Sequence, residues 1–122
     1  MKSVLIALAA MTLSVSAGSA AEPLLRHVVC LKFKADAKPE AIARVERDFQ
    51  ALKSQIPQIS NLEWGTNNSP EKLNKGYTHC FTLTFKTEAD RDAYLPHPDH
   101  KKFAGSLKDV LEDALVIDYW TK

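Results

Sequence analysis

The chain has 122 residues, of which 45% are hydrophobic and 25% charged, with 16 basic against 15 acidic side chains. That length supports one small domain with a modest core. The charges are interleaved and no basic block stands out, so neither nucleic acid nor an anionic membrane surface is an expected partner.

Met1-Lys2-Ser3 leads into an apolar run from Val4 to Val15, which ends in Ser16-Ala17-Gly18-Ser19-Ala20-Ala21. The run is shorter than the roughly 20 apolar residues a membrane helix needs. A positive start, an apolar middle and a small-residue end describe a secretory signal peptide, residues 1–20, cut between Ala20 and Ala21. The expected location is therefore outside the cytoplasm, periplasmic or secreted, with no membrane attachment after cleavage. The expected domain is 21–122.

The first predicted strand is His27 to Lys34, with His27, Val29, Leu31 and Phe33 on one face and Val28, Cys30 and Lys32 on the other. Pro39 suits the first turn of a helix, and Ile42, Val45, Phe49, Leu52 and Ile56 form one apolar stripe that Pro57 ends. A second strand spans Ile59 to Thr66, where Gly65 hints at a bulge. After a polar loop from Asn67 to about Gly76, Tyr77 to Lys86 is a third strand. Thr87 and Asp90 have capping-box spacing for a second helix, which stops at Pro96. His97-Pro98-Asp99-His100 restarts it, with Phe103, Leu107, Val110 and Leu111 continuing an apolar stripe, and Ala114 to Trp120 is the last strand.

The order β-α-β-β-α-β is the ferredoxin-like split pattern: α+β, with a four-stranded antiparallel sheet and helices on one face. The last strand is apolar on both faces, and two helical regions cover only one side of a sheet. A second copy packed sheet to sheet would cover the other, so the expected partner is the chain itself, as a twofold homodimer.

Four histidines, His27, His79, His97 and His100, and one tyrosine, Tyr94, are expected to converge at one end of a space between sheet and helices. Imidazole suits acid–base work near neutral pH, and a phenol can protonate an oxyanion. Leu31, Phe49, Phe81 and Phe103 would line that space together with His27, His79 and His97. The bland alternatives are hydrogen-bonded core histidines at 27 and 79 and a capping or turn role for His97. His97 and His100 at a spacing of three are a weak metal signal with no completing ligands, and no metal or other cofactor is expected. Cys30 and Cys80 fall on the same sheet face of adjacent strands. They are either a cross-strand disulfide or two buried thiols, depending on register.

Arg26-His27-Val28-Val29-Cys30-Leu31-Lys32-Phe33-Lys34, Ile56-Pro57 with Trp64-Gly65, Gly76-Tyr77-Thr78-His79, Tyr94-Leu95-Pro96-His97-Pro98-Asp99-His100 and Val116-Ile117-Asp118-Tyr119 together resemble the stress-responsive A/B barrel (Dabb) family across the whole of 21–122. The resemblance implies a dimeric α+β barrel. A plant polyketide cyclase of that family uses a tyrosine and a histidine in an aldol cyclisation, and these match Tyr94 and His100; its further histidines match His27, His79 and His97. Glu46, Pro96 and Lys101 would narrow or polarise such a pocket. The expectation is a small-molecule binder with Tyr94 and His100 as the catalytic pair if it is an enzyme. The rivals are a non-catalytic stress or structural dimer and, on fold analogy alone, a heme- or monooxygenase-type barrel. Export favours the binder over a cyclase, because coenzyme A thioesters are cytosolic.

Overall fold

Alternation of apolar side chains makes Leu25–Phe33 a strand that buries every second residue. It is β1 of a computed structural model that describes residues 9, 10, 12 and 21–122. The expected signal segment and its cut lie outside the described residues, apart from 9, 10, 12 and Ala21. Among the described residues no helix is long and apolar enough to cross a membrane.

The elements that follow are α1 (Pro39–Gln55), β2 (Asn61–Thr66), β3 (His79–Phe85), α2 (Glu88–Tyr94), α3 (Pro98–Gly105) and β4 (Leu111–Trp120). Pro39 opens α1, where its missing N–H costs nothing, and Val45, Phe49 and Leu52 point inward. Thr87 caps α2 by accepting from the Asp90 N–H, as its spacing requires. Leu111 belongs to β4 rather than to the helical stripe, and α3 is already over at Gly105. Gly65 lies in an unbroken β2–β3 register; the sheet's irregularity falls instead between Lys32 and Phe33, where β1 shifts against β4.

The four strands are antiparallel in the order β2-β3-β1-β4, the ferredoxin-like arrangement. Both helical regions pack on one face, over Leu25, Val29, Leu31, Phe81, Leu83 and Phe85. Phe49 of α1 lies flat on Phe81 with ring centroids 4.0 Å apart and meets Phe103 of α3 at 4.7 Å. Each such side chain contributes about 1.5–3 kcal/mol by leaving water.

Among the described residues no helix covers the other face, and β4 is exposed along nearly its whole length. Leu115, Val116, Ile117, Tyr119 and Trp120 are 39–54% exposed. Edge strands are usually blunted by charge or proline, whereas this one exposes five large apolar side chains.

Phe81→Ala should lower folding stability by about 3–5 kcal/mol, because it removes a fully buried ring on which Phe49 lies flat. A urea titration of variant and parent checks this. An effect below 1 kcal/mol would mean that the stack is not the centre of the core.

Candidate functional site

The break between α2 and α3 builds the site. Leu95-Pro96-His97-Pro98 carries two residues without an N–H, so the chain cannot continue as one helix. His97 caps α3 through Nδ1, which accepts from the Asp99 N–H at 3.1 Å. With that donor engaged, the Leu95 carbonyl accepts from Nδ1 of His100 at 2.8 Å. A carbonyl only accepts, so Nδ1 carries the proton and the neutral ring presents its lone pair at Nε2.

The His100 ring lies 4.3 Å from that of Tyr94, which is buried at the end of α2. Tyr94 meets His27 edge-on at 5.7 Å. In turn His27 Nδ1 donates to Asp118 Oδ1 at 2.7 Å, a directly cross-strand pair between β1 and β4. Asp118 Oδ2 accepts from Arg91 of α2 at 3.2 Å, so one carboxylate ties the sheet to the helix that carries Tyr94. Burial pushes the Tyr94 hydroxyl well above its ordinary value, which keeps it a neutral donor.

The five residues expected to converge do not all do so. His27, Tyr94 and His100 form one cluster. His97 faces its own helix start. His79 pairs with Leu31, four positions from His27 along β1 and so about 13 Å away. There its Nε2 bonds Glu46 Oε2 of α1 at 3.1 Å, its Nδ1 bonds Thr78 Oγ1 at 2.8 Å, and Phe33 and Trp64 enclose the ring. Leu31, Phe49, Phe81 and Phe103 are packed core against one another. Asp118 and Arg91 were not singled out from the sequence. The available signal was an aspartate inside the apolar run Ala114–Trp120.

A cavity of about 510 Å³ opens on the other sheet face, under the loop that precedes β3. Cys30, Cys80, Leu73, Tyr77 and Leu115 line it. At its rim the Tyr77 hydroxyl donates to Asp113 and holds that carboxyl below the usual carboxylate range. Among the described residues, no group of three or more histidine, cysteine or acidic side chains could hold a metal ion.

An antiparallel sheet in the order β2-β3-β1-β4 with its helices on one face places the chain in the ferredoxin-like class. Residues 25–121 match the stress responsive A/B barrel domain, and the chain belongs to that family. It is 35% identical over 95 residues to the stress-response A/B barrel domain-containing protein HS1 of Arabidopsis thaliana, covering 78% of this chain and 87% of the relative. It is 26% identical to olivetolic acid cyclase of Cannabis sativa, covering 78% and 94% of the two chains. Among solved structures, a hydroxynitrile lyase from Passiflora edulis superposes with a TM-score of 0.77 at 25% identity, covering 84% and 96%. A dimeric ferredoxin-like protein from Jannaschia superposes with a TM-score of 0.68 at 26% identity, covering 79% and 97%.

Two outcomes follow from this geometry. Asp118→Ala leaves the His27 N–H without its acceptor and should cost about 1–3 kcal/mol of stability. Ring ¹⁵N shifts should show His27 losing its fixed tautomer; an unchanged spectrum would mean that Asp118 does not orient it. Secondly, an unfolded phenol ionises near pH 10 while buried Tyr94 does not. The unfolded state therefore binds fewer protons above that pH, and stability falls as pH rises through it. Tyr94→Phe should remove this part of the alkaline loss, which urea midpoints between about pH 8 and 11 would measure.

Proposed function

We propose that this chain works as an exported homodimer that binds a small carbonyl compound and transfers a proton beside the carbonyl group. The observation that carries the reading is the pairing of His100 and Tyr94. One ring is held with a free lone pair at Nε2 and the other is a phenol kept neutral by burial, 4.3 Å apart between centroids. His100 takes the proton from the carbon, and the Tyr94 O–H donates to the oxygen as negative charge develops there. His27, fixed by Asp118, packs against the phenol and positions it. A cyclase and a lyase among the relatives support chemistry of this kind.

Two observations support the homodimer: the uncovered sheet face with its apolar edge strand, and solved neighbours described as dimeric. The apolar leading segment with its small-residue end supports export.

A second reading, a non-catalytic stress or structural dimer, is favoured by the packing. Phe49, Phe81 and Phe103 fill the space between sheet and helices that was expected to hold a ligand.

A thermal-shift screen against aldehydes and β-diketones separates the two. A ligand at about 100 times its Kd adds about 2.7 kcal/mol and raises the midpoint by several degrees. With a substrate found, His100→Ala should lower kcat at least about 100-fold while leaving the unliganded midpoint in place. Full activity in that variant would sink the assignment of the base, and a screen without any stabilising compound would favour the non-catalytic dimer. Sedimentation should show a dimer that Ile117→Lys splits, whereas a monomeric parent would refute the assembly.

A further inference from the structure

Cys30 and Cys80 stand directly opposite each other in the β1–β3 register. Both are free thiols, on the sheet face away from the helices, and both line the 510 Å³ cavity. Their backbone groups settle what kind of pair they form. Asn67 N donates to Thr78 O at 2.8 Å and Ser60 N donates to Thr84 O at 2.9 Å, both across the β2–β3 edge, so Cys80 and Thr82 between them turn their backbone polar groups toward β2, while the Thr78 N–H, just before β3, goes to Leu31 O at 3.0 Å. Thr121 N donates to Leu24 O at 2.8 Å, so Leu24, Arg26, Val28 and Cys30 turn theirs toward β4. Cys30 and Cys80 therefore exchange no backbone hydrogen bond with each other. Such a pair is the close kind in an antiparallel ladder, with Cα atoms about 4.5 Å apart and side chains converging. A disulfide needs Cα atoms about 4.4–6.8 Å apart, so the two sulfurs can join without moving the strands.

We infer that Cys30 and Cys80 are an oxidisable dithiol, which a low-molecular-weight disulfide converts into an intrachain bond stapling the two central strands. The site is separate from the histidine–tyrosine cluster and does not depend on it. Exposure orders the steps. In the single protomer Cys80 is the exposed member, whereas burial and the neighbouring sulfur push the Cys30 thiol up to about 11; the pair lies on the face proposed for the second copy, so the reagent reaches it in the dissociated protomer. The Cys80 thiolate attacks one sulfur of the reagent, forms a mixed disulfide and expels one thiolate. Cys30 then gives its proton to solvent and attacks the Cys80 sulfur, expelling the second thiolate. The protein loses two electrons and two protons, and the reagent is reduced to two thiols.

The test treats the purified protein, at a concentration where sedimentation shows the dissociated protomer, with oxidised glutathione at about pH 8 and follows thiol titre, intact mass and thermal midpoint. The expected result is loss of both thiols, a mass lower by two hydrogens, no covalent dimer, and a midpoint raised by several degrees that dithiothreitol restores. Cys30→Ser should stop at a stable glutathione adduct on Cys80, and Cys80→Ser should react at least about 10-fold more slowly, because the raised value leaves little thiolate at Cys30. A parent protein that keeps its glutathione adducts, links to a second copy or retains both thiols would overturn the inference. So would a Cys80→Ser variant that is modified as fast as the parent.

Discussion

A four-stranded sheet has two faces, and the described residues supply helices enough for one. The arrangement of the rest follows from that shortage. α1, α2 and α3 are all spent on the face that carries Leu25, Val29, Leu31, Phe81, Leu83 and Phe85, which becomes the core. The period of two along each strand then sends Val28, Cys30, Cys80 and Thr82 to the bare side, along with Leu115 and Ile117 of β4. The core, the cluster around Tyr94, the thiol pair and the surface offered to a second copy are four results of one division of residues between faces.

The Tyr94 cluster depends on that division in a second way. β1 lies between β3 and β4, so His27 on its covered face meets Asp118 across one strand boundary and Tyr94 from the helix above. Burying an imidazole there without an acceptor would cost the desolvation of its N–H. The aspartate removes that cost and spends its other oxygen on Arg91, which fastens α2 over the sheet. Helix termination adds the remaining piece. The proline-rich break leaves the Leu95 carbonyl without a helical partner, and His100 takes it up. Stability and the poise of the proposed base therefore come from the same few bonds.

Most elements could be read along the chain because their signals are local. The alternation of β1 and β3, the stripe of α1, the Thr87 cap and the proline break all appear in the structure within two or three residues of their expected places. Less legible was anything that depends on how far apart two residues lie once paired. His27 and His79 share a face, which the period of two reveals, but they sit four positions apart along the sheet, which only the register reveals. Phe49, Phe81 and Phe103 were expected to line a pocket and instead stack on one another, since apolar stripes specify which side faces inward and not how much space is left between them. Asp118 stood in a family motif but carried no role in the sequence, because its meaning lies in its cross-strand neighbour.

The amino-acid sequence by itself determined the order of elements, the covered faces of β1 and β3 and the family, because hydrophobic period, capping chemistry and proline placement act over a few residues. The tertiary structure alone decided which side chains meet: His27 with Asp118, His79 with Glu46, Cys30 with Cys80. Those meetings are set by strand register and helix placement, and a shift of one residue would have sent each of them to a different neighbour or to the other face.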